Sequence, residues 1–312
     1  MYIPLFPIFS GETLPWLSSY DFFITQETIM KNKICLVTGA TAGIGEVTAL
    51  KLAGMGATVV GVGRNPAKCE ATAQRIRTET GNPNVEFLIA DLSSQAQIRA
   101  LAKTFREKYA RLDVLMNNAG AFYFDRQESV DGIEMTFALN HLGYFLLTDL
   151  LLDMLKASAP SRIVSVSSSA HYSAKLDLDD LEMKKNFQGW PAYANSKLAN
   201  ILFTYELSRR LEGTGVTATV LHPGWVATQF AQNNLRGFMG FFRPVYRLFQ
   251  KLTAITPEQG ADTMVYLASS PEVEGVTGKF FVERREKRSL DISYDESAAK
   301  KLWEISEKMV GG

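Results

Sequence analysis

The sequence predicts a single α/β domain, doubly wound around a parallel sheet of about seven strands. From Lys33 onward, short apolar runs alternate with longer helical stretches, which is typical of right-handed βαβ units. The runs are rich in Val, Ile, Leu and Phe and lack strict polar alternation, as expected for strands that helices cover on both faces. Residues 30–312 contain no internal repeat and no Pro/Ser-rich linker, so one domain accounts for the whole pattern.

The predicted elements follow one another in regular order. Strands are expected at 34–38, 58–62, 85–90, 114–116, 162–166, 217–221 and 279–282. Helices are expected near 44–54, 67–80, 95–110, 131–157, 193–213 and 257–270. The carboxyl ends of parallel strands meet at one edge of the sheet, where open α/β sheets bind their ligands.

Composition excludes several classes of function. The 312 residues carry 33 Lys+Arg and 33 Asp+Glu, so the net charge is zero and the molecule as a whole does not attract nucleic acid. Two cysteines are too few for a disulfide framework, which favours a reducing, cytoplasmic compartment. The three histidines lack metal-ligand spacing, so we expect no metal.

The first 29 residues are apolar and aromatic, but prolines interrupt them. Their longest uncharged run, Met1–Gly11, is too short to span a bilayer, and no basic residue precedes Lys31, as a secretory signal would require. We expect 1–29 to be a loosely packed extension of the domain at 30–312. The alternative is that Met30 is the natural start.

A glycine-rich turn follows the first predicted strand. Gly39, Gly43 and Gly45 are spaced G-x-x-x-G-x-G between this strand and a helical pattern. Glycines at such a turn let backbone N–H groups approach a pyrophosphate, which then lies at the helix N-terminus. In this context the turn indicates a Rossmann-type nucleotide-binding domain.

The end of the second strand favours NADP(H) over NAD(H). A domain that selects NAD usually places an acid here to accept the ribose 2′-OH, but residues 59–67 contain neither Asp nor Glu. Arg64 instead offers a guanidinium suited to a 2′-phosphate. A surface arginine that only begins a loop is the alternative.

The chemistry is predicted at Tyr193 and Lys197. On a helix, residues four apart share a face, so the phenol and the ammonium point into one site. We expect the neighbouring cation to lower the pKa of the phenol and so to favour acid–base work. A hydroxyl cluster at 167–169 follows the fifth strand and offers a hydrogen bond to a substrate carbonyl.

These motifs together resemble the classical short-chain dehydrogenase/reductase family over essentially all of 30–312. The matching segments, in family order, are TGATAGIG at 38–45, Asp91-Leu92, NNAG at 117–120, ALNHLG at 138–143, RIVSVSS at 162–168, YANSK at 193–197 and HPGWVAT at 222–228. The sequences of two segments, RIVSVSSSAH and YANSKLANILFT, are most similar to the retinol dehydrogenase-like branch. That likeness implies a small lipophilic alcohol or carbonyl substrate.

The resemblance implies roles for individual residues. Tyr193 becomes the general acid/base, Lys197 holds the nicotinamide ribose, Asn140 completes a proton relay, and Ser168 orients the carbonyl, with Ser167 as an adjacent competitor. Residues implied to contact the cofactor are Gly39, Thr41, Gly43, Ile44, Gly45, Arg64, Asp91, Leu92, Asn117, Ala119, Gly120, Tyr193, Lys197, Pro223, Gly224, Val226 and Thr228. Hydride transfer between nicotinamide and a carbonyl carbon is the implied reaction.

Two rival classes fit less well. A serine hydrolase requires a G-x-S-x-G nucleophile elbow, which is missing from the sequence, and an extended nucleotide-sugar epimerase normally has a different glycine spacing. A catalytically silent NADP-binding regulator of the same fold stays open, since retained motifs do not prove turnover.

The segment 235–252 combines an apolar and a basic helical face. Phenylalanines recur at three- and four-residue steps, while Arg243, Arg247 and Lys251 repeat every four residues. Three interpretations remain: a lid over an apolar pocket, a peripheral membrane or partner helix, and core packing. The lid is favoured because the preceding strand ends beside the expected nicotinamide site. A homo-oligomer is also left open.

Overall fold

The computed structural model describes residues 29–224 and 255–311. Its strands are β1 (Ile34–Thr38), β2 (Thr58–Gly63), β3 (Val85–Ile89), β4 (Val114–Asn117), β5 (Ser161–Val166), β6 (Val216–Leu221), β7 (Lys279–Val282) and β8 (Arg285–Lys287). They form one sheet in the order β3-β2-β1-β4-β5-β6-β7-β8, in which β1 to β7 run parallel and β8 is antiparallel. The strand order reverses between β1 and β4, and such a switch point is where doubly wound sheets bind ligands.

Within the described residues, seven helices cover the two faces of the sheet. They are α1 (Gly43–Gly54), α2 (Pro66–Thr80), α3 (Gln95–Lys108), α4 (Gly143–Ala157), α5 (Gly189–Arg210), α6 (Pro257–Ser269) and α7 (Glu296–Met309). A helical turn at Met135–Phe137 and a π-helical turn at Ala138–Leu142 lead into α4. Short 3₁₀ turns occupy Ser169–Ser173, Pro271–Val273 and Asp291–Tyr294.

The core lies in two layers, one on each side of the sheet. On one face, α3, α4, α5 and α7 bury side chains such as Phe105, Phe145 and Trp303 against the strands. On the other face, α1, α2 and α6 bury side chains such as Leu52 and Met264. Successive strand residues alternate between the two layers, so the strands are apolar on both faces.

The structure confirms the predicted fold class and adds two elements that the sequence pattern missed. The sheet has eight strands rather than about seven, because the short antiparallel edge strand β8 is composed of exposed charged residues. The C-terminal helix α7 had a readable signal: Asp295 accepts hydrogen bonds from the N–H groups of Ser297 and Ala298 as its N-cap. The predicted helix at 193–213 begins earlier, at Gly189.

One described helical stretch, Met135–Ala157, has the length and apolarity of a membrane span, with a mean hydropathy of 1.3. Of the most apolar part of this stretch, 78% is buried inside the domain, so core packing accounts for its apolar composition. Residues 1–28 lie outside the described residues, and the division at 29/30 stays a prediction. Met30 belongs to the core, and its N–H donates to the Met55 carbonyl at 3.1 Å.

Candidate active site

The glycine-rich turn joins β1 to α1 at the carboxyl edge of the sheet. Gly39 and Gly43 have φ angles of +66° and +58°, a region that favours glycine. At Gly45, a Cβ atom would lie 2.5 Å from the Gly39 carbonyl oxygen and would also collide with the Asn118 amide. Any side chain there would force the turn open, so the turn presents bare backbone.

The N-terminal end of α1 is open to an anion. Its N-cap residue, Ala42, makes no side-chain hydrogen bond to the first turn, whereas at α2 the Asn65 Oδ1 accepts from the Lys68 N–H at 3.0 Å. Free N–H groups and the helix dipole favour a negative charge at this position. The partly exposed Thr41 and Ile44 flank it. These residues therefore fit the pyrophosphate of a dinucleotide.

Thr38 and Asn118, which the sequence analysis did not single out as site residues, tie this turn to the segment after β4. The Thr38 hydroxyl donates to the Met116 carbonyl at 3.0 Å and accepts from the N–H groups of Asn118 and Ala119 at 2.8 and 3.0 Å. The Asn118 amide donates back to the Thr38 carbonyl at 2.7 Å. The two cofactor-facing segments are thereby held as one unit.

Arg64 lies at the end of β2 with 63% of its side chain exposed. Its Nη1 is 3.8 Å from Asp91 Oδ2, and its charge lies near enough to the Tyr123 phenol to oppose the rise in pKa that burial causes there. The carboxylate of Asp91 is oriented by the N–H and hydroxyl of Ser93, at 2.9 and 2.7 Å. The structure thus brings the predicted Arg64 and Asp91 together at the edge where an adenosine would lie.

Tyr193 and Lys197 lie one turn apart on α5, as their spacing predicts. The Lys197 Nζ is 5.6 Å from the centre of the Tyr193 ring and donates to the Val166 carbonyl at 3.3 Å. Gly120 lies directly beside it, because a Cβ there would be 3.3 Å from Nζ. Two strand ends and α5 therefore converge on this ammonium group.

Ser168 is the serine that reaches Tyr193. Its hydroxyl lies near enough to the Tyr193 phenol to lower the pKa of that phenol, and it accepts from the Ala170 N–H at 3.2 Å. His171 was not predicted as a site residue. Its Nδ1 is hydrogen-bonded to the Ser168 carbonyl at 2.6 Å and so helps to hold Ser168 in place. Ser167 is buried and donates to the Lys197 carbonyl at 2.8 Å, so it supports the helix instead.

Asn140 lies in the π-helical turn before α4, a local distortion often found at functional sites. Its Oδ1 accepts from the Ala121 N–H at 2.8 Å, and its Nδ2 donates to the Ala121 carbonyl at 2.9 Å and to Ser196 Oγ at 3.1 Å. Its own carbonyl accepts from Asn200 Nδ2 at 2.9 Å. The side chain thus fixes the loop after β4 against α5.

The pKa of Tyr193 moves in the direction opposite to the one expected from the sequence. Loss of solvent around the phenol raises its pKa to about 12, and the nearby Ser168 hydroxyl only partly offsets this. Burial also lowers the pKa of Lys197 to about 7. The expected lowering was wrong for the free protein, because burial disfavours both charged forms. At neutral pH the phenol is protonated and suited to donate a proton.

Of the other predicted site residues, some lie at the carboxyl edge of the sheet and others are buried in the core. Leu92 is buried, and its carbonyl packs against Gly143 at the start of α4. Asn117 has no exposed surface and donates to Thr148 Oγ1 at 2.9 Å, so its side chain supports the sheet. Pro223 and Gly224 follow β6 at the carboxyl edge, where the Gly224 N–H donates to His222 Nδ1 at 2.9 Å.

Two predicted cofactor residues, Val226 and Thr228, and the amphipathic segment 235–252 lie outside the described residues. The described parts of the chain contain no group of three or more His, Cys, Asp or Glu side chains that could hold a metal ion. Tyr144 was missed by the sequence analysis: its buried ring centre is 5.9 Å from Lys197 Nζ.

Fold and site together define a dinucleotide-dependent dehydrogenase or reductase, and comparisons with known proteins specify it. A model of the short chain dehydrogenase family matches residues 33–237. Human (Homo sapiens) retinol dehydrogenase 14 is 45% identical over 296 residues, covering 91% of this chain and 88% of its own length. Human polyprenol dehydrogenase is 41% identical over 286 residues, covering 90% and 86%.

Solved structures agree with this assignment. A putative uncharacterized protein from Mycobacterium paratuberculosis superposes with a TM-score of 0.73 at 32% identity, covering 90% of this chain and 94% of its own. The active-site complex of Pseudomonas aeruginosa RhlG with NADP gives a TM-score of 0.64 at 28% identity, covering 81% and 96%. The chain belongs to the short-chain dehydrogenase/reductase family. Within it, the chain falls in the retinol dehydrogenase-like branch and is an oxidoreductase acting on CH–OH or C=O groups.

Proposed function

We propose that this protein is an NADP(H)-dependent oxidoreductase of lipophilic alcohols and carbonyls, with Tyr193 as the general acid/base. The observation that carries the proposal is the cluster of Ser168, Tyr193 and Lys197 at the carboxyl edge of the sheet, beside the bare glycine turn. Relatives named for retinol and polyprenol oxidation support the lipophilic class of substrate.

The residues divide the work of the reaction. When bound, the nicotinamide supplies or accepts the hydride. Ser168 Oγ donates a hydrogen bond to the substrate oxygen and fixes its position. Tyr193 Oη gives its proton to that oxygen during reduction and takes it back during oxidation. Lys197 would hold the nicotinamide ribose, and its charge would stabilise the phenolate left after proton transfer.

Arg64 supports the choice of NADP(H). Its exposed guanidinium lies at the end of β2, where the 2′ substituent of the adenosine ribose would lie, and its Nη1 is 3.8 Å from the Asp91 carboxylate. A guanidinium forms charge-assisted, bidentate hydrogen bonds with a phosphate but gains much less from a 2′-OH.

The proposal also covers the cellular location, membrane contact and oligomeric state of the protein. The described free thiols, Cys35 and Cys69, are buried, which is compatible with a cytoplasmic location. Peripheral membrane contact through 235–252 would bring the enzyme to substrates that partition into lipid. A homo-oligomer remains a further part of the proposal, as does the role of 235–252 as a lid.

The decisive experiment is Tyr193→Phe. The change removes one oxygen and keeps the ring, so we expect a folded protein that binds NADPH normally and loses about 10²–10⁴-fold in kcat. Tyr205→Phe is the matched control, because Tyr205 lies on the same helix and its hydroxyl contacts Ser289 at 2.9 Å, away from the site. Near-normal turnover of Tyr193→Phe contradicts the assignment. A wild type that binds NADPH but reduces no carbonyl supports a catalytically silent regulator instead.

A further inference from the structure

Three aromatic side chains extend from Tyr193 toward the surface; we call Phe122, Phe124 and Trp190 the aromatic wall. The centre of the Phe122 ring is 5.8 Å from that of Tyr193 and 4.7 Å from that of Phe124, in edge-to-face geometry both times. The Trp190 ring lies 6.5 Å from Phe122 and 6.0 Å from Tyr193. The wall therefore begins at the reacting phenol.

Backbone contacts hold the wall in place. Gly189, the first residue of α5, packs so closely on the loop after β4 that a Cβ atom would strike the Tyr123 carbonyl and lie 2.9 Å from the Phe124 carbonyl. This close approach sets Trp190, the next residue, beside the two phenylalanines. The Trp190 Nε1 donates to Ser173 Oγ at 3.2 Å, so its polar atom is satisfied while half of the residue stays exposed.

Exposure increases along the wall. Tyr193 and Phe122 are partly buried, whereas Phe124 is 39% and Trp190 50% exposed. Exposed aromatic rings in contact with one another at the mouth of a catalytic site are typical of a surface that binds an apolar ligand. A wall that served only the core would be buried throughout.

We propose that the aromatic wall binds the hydrocarbon part of the substrate and so determines the preferred chain length. This inference rests on the proposed function, since it takes Tyr193 as the group at the substrate oxygen. A short carbonyl held at Ser168 and Tyr193 covers no more than the edges of Phe122 and Trp190 that adjoin the phenol. A long chain continues over Phe124 and Trp190 and gains binding energy from the apolar area it covers there.

The test compares propanal with decanal as substrates for the full-length protein with saturating NADPH. We expect Trp190→Ala and Phe124→Ala each to lower kcat/KM for decanal about tenfold and to leave kcat/KM for propanal within about twofold. Trp190→Phe keeps an aromatic face without the indole N–H, so it should retain most of the preference for decanal.

Tyr294→Ala is the matched control. The exposed fraction of Tyr294, 47%, is similar to that of Trp190. Its ring, however, packs on Tyr205, which lies three turns along α5 from Tyr193. We expect this variant to treat both aldehydes as the wild type does. Equal losses for both aldehydes in Trp190→Ala, or an unchanged ratio, would overturn the aromatic wall as the determinant of chain length. A Trp190→Phe variant as impaired as Trp190→Ala would likewise overturn it, by assigning the effect to the Ser173 hydrogen bond.

A binding measurement separates the two proposals. Calorimetric titration of 1-decanol and 1-propanol into the NADPH-loaded protein involves no turnover, because the reduced cofactor cannot accept a hydride from an alcohol. If the wild type reduces neither aldehyde but Trp190→Ala still weakens decanol binding alone, the proposed function fails and the aromatic wall stands. If decanol binding is unchanged in Trp190→Ala, the wall fails whether or not the enzyme is active.

Discussion

At the scale of single residues, the site works by placing ionisable groups where solvent is scarce. Lys197 is 3% exposed, and its ammonium donates to the Val166 carbonyl; burial lowers its pKa to about 7. The phenol of Tyr193 is held neutral by the same burial. A proton donor that stays protonated at neutral pH and an amine poised near neutrality are suited to reversible proton transfer.

This burial predicts a pH dependence of stability. The Lys197 amine has a folded pKa near 7 and an ordinary value of 10.5 when unfolded, so between these pH values the unfolded chain holds a proton that the folded site has released. Stability must therefore rise with pH through this window. We expect the free energy of unfolding of the wild type, relative to Lys197→Met, to increase from pH 7 to 10 in urea titrations. Parallel profiles for the two proteins would contradict the lowered pKa.

Arg64 makes a second prediction at this scale. Charge-assisted hydrogen bonds are worth about 1.5–3 kcal/mol, so Arg64→Ala should raise the Kd for NADPH about 10–100-fold and leave the Kd for NADH nearly unchanged. Fluorescence titration of both cofactors measures this. Arg106→Ala, which removes an exposed arginine that donates to the Leu150 carbonyl, serves as the control. Equal weakening of NADPH and NADH binding would reject Arg64 as the group that selects the 2′-phosphate.

At the scale of elements, the turn between β1 and α1 depends on the absence of side chains. A methyl group at Gly45 would meet the Gly39 carbonyl at 2.5 Å, whereas one at Gly54, at the other end of α1, would have only Thr80 Cγ2 nearby, at 3.8 Å. The same substitution thus has opposite consequences at the two ends of one helix.

We expect Gly45→Ala to lower the melting temperature and to weaken NADPH binding at least tenfold, because the turn must open to admit the methyl group. Gly54→Ala should leave cofactor affinity unchanged and keep or slightly raise the melting temperature, since alanine restricts the unfolded chain more than glycine does. Thermal scans and NADPH titrations of both variants test this. Normal NADPH binding by Gly45→Ala would show that the bare backbone of the turn is not needed for the cofactor.

At the scale of the whole molecule, the parts of the fold that sequence predicted well are those whose signal is local. The seven parallel strands were placed to within one residue at every end, because burial on both faces leaves a continuous apolar run. Strand β8 has no such signal, since its pairing with β7 leaves its charged side chains in solvent.

In the site, too, the features predicted from the sequence are those with a local signal. The face shared by Tyr193 and Lys197 follows from helix geometry, and the glycine turn follows from its spacing. The choice of Ser168 over Ser167, the raised pKa of Tyr193 and the hydrogen bond from Asn200 to the Asn140 carbonyl depend on segments that meet only in the folded chain. No local pattern of residues encodes those contacts.

The C-terminal helix α7 completes one layer of the core and carries the last prediction. The Trp303 ring stacks on Phe203 at 5.7 Å, meets Phe145 at 4.8 Å, and lies 4.2 Å below the guanidinium of Arg210. With 7% of its surface exposed, Trp303 leaves a large void when it is truncated. We therefore expect Trp303→Ala to lower the free energy of unfolding by about 3–5 kcal/mol in urea denaturation.

Glu304→Ala is the control for this change. Glu304 is the next residue of α7 and is exposed, so its loss should alter the free energy of unfolding by no more than about 0.5 kcal/mol. Because the Trp303 layer lies away from the glycine turn, the folded fraction of Trp303→Ala should bind NADPH with wild-type affinity. A loss below about 1 kcal/mol would mean that α7 is an appendage of the domain rather than part of its core.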